Sequence, residues 1–282
     1  MSQLGKQIRM RRLIREESNS CVICALDHGM TSPKFLDGLN DARTRTREAI
    51  AGGANVIMMS RGVAKRSVSE FRRSTSLALM LSASAAGRPS GPVITAIGSV
   101  EEALRIGADA VVVYTALSGD NEDWMISYLS DVGEACEALG MPLIAEAEWP
   151  NAYQTLDTFS TDLGPEYLKR NGRLCVELGA DIVKVNWSGD VKSFSEIVRA
   201  CDAPVVIAGG TVISDEELLQ RFEKGRDVGA IGCSVGRNIF QHDNPEAITR
   251  AISRIFHDKW SAREAMEELK EALKENKRKR SA

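Results

Sequence analysis

The run GADIVKVNWSGD at residues 179–190 sets a small-residue break, Gly179-Ala180, directly before a short β-branched segment, and this phrase recurs along the chain. Gly53-Ala54 precedes NVIMM (55–59), Gly107-Ala108 precedes DAVVVY (109–114), and Gly140-Met141-Pro142 leads into PLIAEAE (142–148). Asp202-Ala203-Pro204 opens PVVIAGG (204–210) and Gly229-Ala230 opens AIGCSVG (230–236). CVICALD (21–27) and LALMLSA (77–83) bring the series to eight. Short apolar runs of this kind suit strands buried on both faces of a parallel sheet. Between them lie stretches with apolar residues at helical spacing, among them VEEALRIG (100–107), EDWMISYLSDVGEACEALG (122–140) and EELLQRFEKG (216–225). GPVITAI (91–97) is a further extended run, read as part of a long connection after the third strand.

Strand, crossover helix and parallel strand, repeated, build either an open doubly wound sheet or a closed barrel. Eight strands in 282 residues favour the barrel, since such barrels run to about 250 residues as one unit. The expected fold is α/β, a single (β/α)8 TIM barrel with a C-terminal extra helix. One domain is expected to span residues 1–282, with 1–18 as an N-terminal extension and 261–282 as a C-terminal helix with a basic tail. The KRKR at 277–280 reads as a solvated helix end.

With 36 basic and 39 acidic side chains the net charge is −3. That balance leaves no electrostatic footprint for nucleic acid or an anionic membrane surface. No stretch approaches the roughly 20 apolar residues of a spanning helix, and MSQLGKQIRMRRLIREE (1–17) lacks the apolar core of a secretory signal. Six cysteines are too few for a disulfide scaffold in a chain of this length. A cytoplasmic protein with reduced thiols is expected.

In a barrel the chemistry sits at the carboxyl ends of the strands, so polar residues there carry information. Lys184 interrupts the apolar DIVKVN; Val183 and Val185 must face opposite to it, which aims the amine inward. Burial lowers a lysine pKa, and a neutral amine is a nucleophile toward carbonyls. The competing reading is a structural ion pair. Asp27 and His28 end the first strand in ALDHG (25–29); the aspartate can orient a substrate hydroxyl or cap the following turn. Glu146 and Glu148, two apart, share a face, and burying them against helices is costly, so both are expected inside. They serve either as proton carriers or as a salt-bridge layer with Lys184 or Arg61. Tyr114, ending DAVVVY, can exchange a proton or simply close the core edge. IAGGT (207–211) and SVGRNIF (234–240) place glycine turns on adjacent strands, where barrels bind phosphate. Gly209, Gly210, Gly236, Ser234 and Arg237 are the phosphate candidates, with His28 and Trp149 as further substrate-binding candidates. No metal site or cofactor is expected: His28, His242 and His257 have no ligand spacing, and Cys21 and Cys24 fall on opposite faces of a strand.

Together ALDHG (25–29), GADIVKVNWSGD (179–190), VVIAGG (205–210) and VGRNIFQHDNP (235–245) resemble the archaeal-type class I aldolases. That family includes fructose-bisphosphate aldolase, 2-amino-3,7-dideoxy-D-threo-hept-6-ulosonate synthase and the thiolase that degrades phosphorylated autoinducer-2. The likeness runs from LGKQIRM (4–10) to the last helix, with motif order and spacing nearest the heptulosonate branch. The resemblance implies that Lys184 forms a Schiff base with a ketose phosphate and that Asp27 is the first-strand acid. It further implies phosphate held by Gly209, Gly210, Gly236 and Arg237, and a homo-oligomer, often a decamer.

The chain also departs from the family. Where relatives carry an acid/base tyrosine in a YPRG-like turn, it reads EWPNAYQ (148–154), so the position falls on Glu148 or Trp149, with Tyr153 further on. MMSRG (58–62) replaces the HKG of the synthase branch, and LSASAAG (81–87) replaces a diglycine. Glu148 is taken as the proton shuttle, with Glu146 as second candidate. The expected activity is a class I aldolase reaction on a phosphorylated ketose of the fructose-bisphosphate or dihydroxyacetone-phosphate type. The alternatives are transfer of a three-carbon unit to aspartate semialdehyde, thiolase action on a phosphorylated pentadione, and a non-catalytic sugar-phosphate-binding barrel.

Overall fold

The small-residue breaks are places where a helix stops and a strand begins. Gly107 and Gly140 take φ of 85° and 67° immediately after helices Val100–Ile106 and Glu122–Leu139. There Gly107 N–H returns to the carbonyls of Ala103 and Leu104, and Gly140 N–H to that of Cys136. A left-handed residue closes a helix in this way without the Cβ clash that other side chains meet. Asp202 does the same at φ 52°, a conformation that aspartate tolerates better than most residues.

The computed structural model describes residues 2–32, 34–84, 94–115, 117, 121–148 and 164–281. Ten strands follow in order: β1 (Cys21–Ala25), β2 (Val56–Met59), β3 (Ser76–Met80), β4 (Ser82–Ser84), β5 (Ile94–Ala96), β6 (Ala110–Tyr114), β7 (Leu143–Ala147), β8 (Ile182–Val185), β9 (Val205–Ala208) and β10 (Gly232–Val235). Eight of them close into a barrel in the order β1-β10-β9-β8-β7-β6-β3-β2, every pair parallel, with β1 also pairing β2. The fold is a (β/α)8 barrel. GPVITAI is not a barrel strand: its residues 94–96 form β5, which pairs antiparallel with β4 to make a two-stranded flap beyond the end of β3.

Alternation along each strand divides the core into two shells. Inward side chains, including Ile23, Val56, Met58, Met80, Val112, Ile144, Ile182 and Val206, fill the barrel. Outward ones such as Val183, Val185, Ile207 and Val235 pack beneath the helices. The amino-terminal segment is more than an extension. Helix Ser2–Leu13 drives Leu13 into the inner shell, and the Leu13 carbonyl accepts from Asn55 Nδ2 at 2.8 Å just before β2. This plugs the end of the barrel opposite the strands' carboxyl ends. The carboxyl-terminal helix, Ala262–Ser281, is present, with Ala265 and Leu269 buried in the outer shell. No helix among the described residues is long and apolar enough to cross a membrane.

The closing seam between β1 and β10 leaves no room at Gly232, where a Cβ would lie 1.7 Å from the carbonyl oxygen of Cys21. Gly232→Ala should therefore force the seam apart and destabilise the barrel by about 3 kcal/mol or more, at or beyond the top of the usual overpacking range. Urea denaturation monitored by circular dichroism reads this directly; an unchanged midpoint would show that the seam can spread.

Candidate active site

β8 places Lys184 level with Glu146 of β7 and Val206 of β9, and Glu146 in turn stands level with Tyr114 of β6. Neighbours in a parallel ladder point to the same face, so Lys184 and Glu146 enter the barrel while Val183 and Val185 join the outer shell. Glu148, two residues beyond Glu146, follows it inward. Lys184 Nζ lies 2.5 Å from Glu146 Oε1 and 2.6 Å from Glu148 Oε1. The group is deeply buried: Lys184 is 5% exposed, Glu146 0%, Glu148 4% and Asp27 1%.

Burial by itself lowers the Lys184 pKa, but attraction to Glu146, then Glu148 and Asp27, outweighs it and holds the amine above its ordinary range. The resting amine is therefore an ammonium and not the neutral form expected from burial alone, in line with the ion-pair alternative, because three carboxylates share its space. Glu146 shifts the other way from a typical paired acid. Its burial pushes it up to about 7, with Lys184 opposing and Glu148 and Asp27 adding. The resting site is an ammonium clamped by acids, one of which is easily protonated.

Asp27 precedes the short helix His28–Thr31 but its side chain does not cap it. Its ion contact with His28 Nδ1 is 3.4 Å, longer than a normal hydrogen bond. Burial raises the Asp27 pKa, while His28 and then Lys184 more than offset this, so the net shift is downward. A buried acid favoured in its ionised form thus stands at the end of β1. Tyr114 is buried and its amide donates to Ser82 Oγ at 2.9 Å, tying β6 to the flap strand β4.

The glycine turns on β9 and β10 divide their roles differently from the sequence expectation. Gly209 N–H is committed to the Ser234 carbonyl at 3.1 Å, and a Cβ there would come within 2.9 Å of Val235 Cγ1. Gly209 is thus a close-packing residue and has no amide to spare for an anion. Gly210, at φ 65° with open space where a Cβ would be, retains the turn role. At Gly236 a Cβ would lie 2.4 Å from His28 Cε1 and 2.7 Å from the Ala25 carbonyl, so this glycine admits the histidine ring. His28 in turn packs edge-on against Phe240 with ring centroids 5.2 Å apart. Ser234 is buried, and its Oγ has no hydrogen-bond partner among the described residues. Arg237 opens the short helix Arg237–Phe240 and is half-buried beside Gly236.

Sequence reasoning passed over Asn238, which the motif VGRNIF contains without marking. Its Nδ2 donates to the Gly209 carbonyl at 3.0 Å and the Thr211 carbonyl at 2.8 Å, and its Oδ1 accepts from Ile213 N–H at 3.0 Å. One buried amide therefore fixes the β9 turn to the helix after β10. Arg61, weighed above as a partner for the barrel acids, lies outside and pairs with Glu102 at 2.8 Å. Trp149 and the remainder of the EWPNAYQ turn, Tyr153 included, lie outside the described residues. Two cavities open on the outer wall beside Val68 and Ile106 and at the amino-terminal rim beside Arg11 and Arg73; Lys184 lines neither.

An inward lysine at the carboxyl end of a barrel strand, surrounded by acids able to carry protons, belongs to a TIM-barrel enzyme rather than a passive scaffold. The model of the DeoC/LacD family aldolases matches residues 21–242, and the chain belongs to that family; it is an enzyme of the class I aldolase type. It is 35% identical over 258 residues to 2-amino-3,7-dideoxy-D-threo-hept-6-ulosonate synthase of Halobacterium salinarum, covering 92% of this chain and 94% of the relative. It is 31% identical over 255 residues to 2-amino-4,5-dihydroxy-6-oxo-7-(phosphonooxy)heptanoate synthase of Streptomyces griseus, covering 90% and 91%. Among solved structures it superposes on an archaeal fructose-1,6-bisphosphate aldolase with the catalytic Lys covalently bound to the carbinolamine intermediate of the substrate. The TM-score there is 0.78 at 26% identity, over 89% of this chain and 99% of that one.

Removing the cation strands two buried carboxylates. Lys184→Met should cost about 3–5 kcal/mol near pH 8, the usual range for breaking a buried pair. Glu146, which burial already lifts to about 7, loses the one attraction that opposes the lift, so the loss is small below the ordinary carboxylate range and grows as pH rises through that raised value. Urea melts of both proteins at pH 5 and pH 8 measure it; a pH-independent difference would mean that the acids stay solvated.

Proposed function

We propose that the chain makes or breaks a carbon–carbon bond through an imine between Lys184 and the ketone of a dihydroxyacetone-phosphate unit. The observation that carries this reading is the inward, acid-flanked Lys184 on β8 in a member of an aldolase family. The solved relative whose title describes a carbinolamine on its catalytic lysine supports it. An imine is an electron sink for the carbanion that C–C cleavage leaves behind. Asp27 orients the hydroxyls next to that carbon. Glu148, one step nearer the mouth than Glu146, exchanges the proton of the hydroxyl on the aldehyde-derived carbon. Gly210, Gly236, Ser234 and Arg237 hold the phosphate, so that binding energy from the remote group positions the reacting carbons.

The aldehyde partner separates two versions of this function. In the Streptomyces griseus product name the ketone sits at carbon 6 beside a phosphate ester at carbon 7. Disconnecting such a chain between carbons 4 and 5 returns dihydroxyacetone phosphate and a four-carbon amino-acid semialdehyde. Fructose 1,6-bisphosphate, disconnected in the same manner, returns dihydroxyacetone phosphate and glyceraldehyde 3-phosphate. The relatives at 31–35% identity bear synthase names, whereas the bisphosphate aldolase stands at 26%. The semialdehyde is therefore the favoured partner. The Halobacterium salinarum name is of a 3,7-dideoxy product with no phosphate, so a 1-deoxy donor belongs in the same comparison.

Borohydride reduction in the presence of dihydroxyacetone phosphate should add the reduced three-carbon phosphate adduct to the Lys184 peptide; an unmodified Lys184 after turnover would remove the proposal. Profiling aspartate semialdehyde against glyceraldehyde 3-phosphate then identifies the partner. Glu148→Gln should slow C–C bond turnover by roughly 10²-fold or more while leaving imine trapping measurable. Wild-type turnover in that variant would return the shuttle role to another group.

A further inference from the structure

The contacts of Lys184 with its two acids are of different kinds. Glu146 Oε1 accepts a hydrogen bond from Nζ at 2.5 Å. Glu148 Oε1 lies almost as close, at 2.6 Å, as an ion pair that lacks hydrogen-bond alignment among the described residues. A proton leaves along a hydrogen bond, so the amine's exit path runs to Glu146. Glu146 is also the deeper acid, level with Lys184 itself and fully enclosed, whereas Glu148 stands two residues closer to the mouth. From these observations we infer that Glu146 is the base that deprotonates Lys184, and that the two glutamates divide the proton work between amine and substrate. The inference rests on the imine chemistry proposed above.

The step balances within the site. Glu146 Oε1 takes one Nζ proton, and the freed electron pair forms the N–C bond as the carbonyl pair moves onto oxygen. That oxygen departs as water with the two protons the ammonium gives up, relayed through Glu146. The protonated imine keeps the third proton and the positive charge, so Glu146 ends as it began and the local charge is unchanged. No outside base enters, which suits a deeply buried amine.

Among the described residues, the charged groups acting on Glu146 are Lys184 from β8, Glu148 from its own strand and Asp27 from the end of β1, with Tyr114 of β6 level with it. Burial and the two neighbouring acids lift it to about 7. Below that pH Glu146 is already protonated and cannot accept from the ammonium; above it the acceptor is available. Imine formation should therefore accelerate as pH rises through about 7.

The test is the single-turnover rate of imine formation from dihydroxyacetone phosphate, quenched with borohydride and read by intact mass from pH 5.5 to 8.5. Wild type should show the rise; a flat profile would overturn the inference, while no adduct at any pH would instead overturn the imine reading itself. Glu146→Gln should slow adduct formation by about 10-fold or more and lose the inflection, with Glu148→Gln retaining it. Glu146→Asp should restore a pH-dependent rise at reduced rate. Wild-type rate and profile in Glu146→Gln would overturn the assignment. If that variant fails to fold by circular dichroism, the Asp variant and the wild-type profile still test it, and loss of the inflection in Glu148→Gln would transfer the role.

Discussion

An ammonium held by carboxylates in the middle of a barrel sets the terms for everything around it. Lys184, Glu146 and Glu148 meet within 2.6 Å where water is almost excluded. Breaking such a cluster is costly, so it rigidifies the junction of β7 and β8. It also opposes the chemistry expected of the lysine, because each carboxylate that steadies the cation makes the free amine harder to obtain. The geometry eases the conflict by aligning one ammonium N–H with Glu146, level with it on the neighbouring strand. A buried lysine alone would be neutral and ready; a lysine among acids waits for its proton to move.

The rest of the architecture keeps that cluster in place. The plug helix Ser2–Leu13 and the inner apolar shell close the barrel from below, so the polar layer lies above a dry floor. On the β9–β10 side, two of the glycines that read as anion-binding turns are also close-packing positions. Gly209 must let Val235 approach and Gly236 must admit the ring of His28. Asn238 then holds the β9 turn to the helix beyond β10 through three hydrogen bonds.

Much of this is legible in one dimension. Lys184 reveals itself because a charged residue interrupts a β-branched run, and Glu146 and Glu148 because a spacing of two puts both on one face. Asp27 and the glycine turns are found by their place at strand ends. Asn238 escapes notice, since a buried asparagine in a short helix looks ordinary until its three backbone partners, on the turn after the neighbouring strand β9, are known. The role of Gly209 is misread for the same reason: its amide is consumed by a strand that lies 25 residues further along, at Ser234.

The amino-acid sequence by itself determined the eight barrel strands, the helix stops and the inward direction of Lys184 and Glu146, because period-two alternation and left-handed caps are local properties of the chain. Barrel closure through β1 and β10, the antiparallel flap of β4 and β5, and the protonation of Lys184 belong to tertiary structure alone. Charge state follows from distance between groups, and Lys184 and Glu146, 38 residues apart in the chain, come within 2.5 Å only when β7 and β8 pair in register.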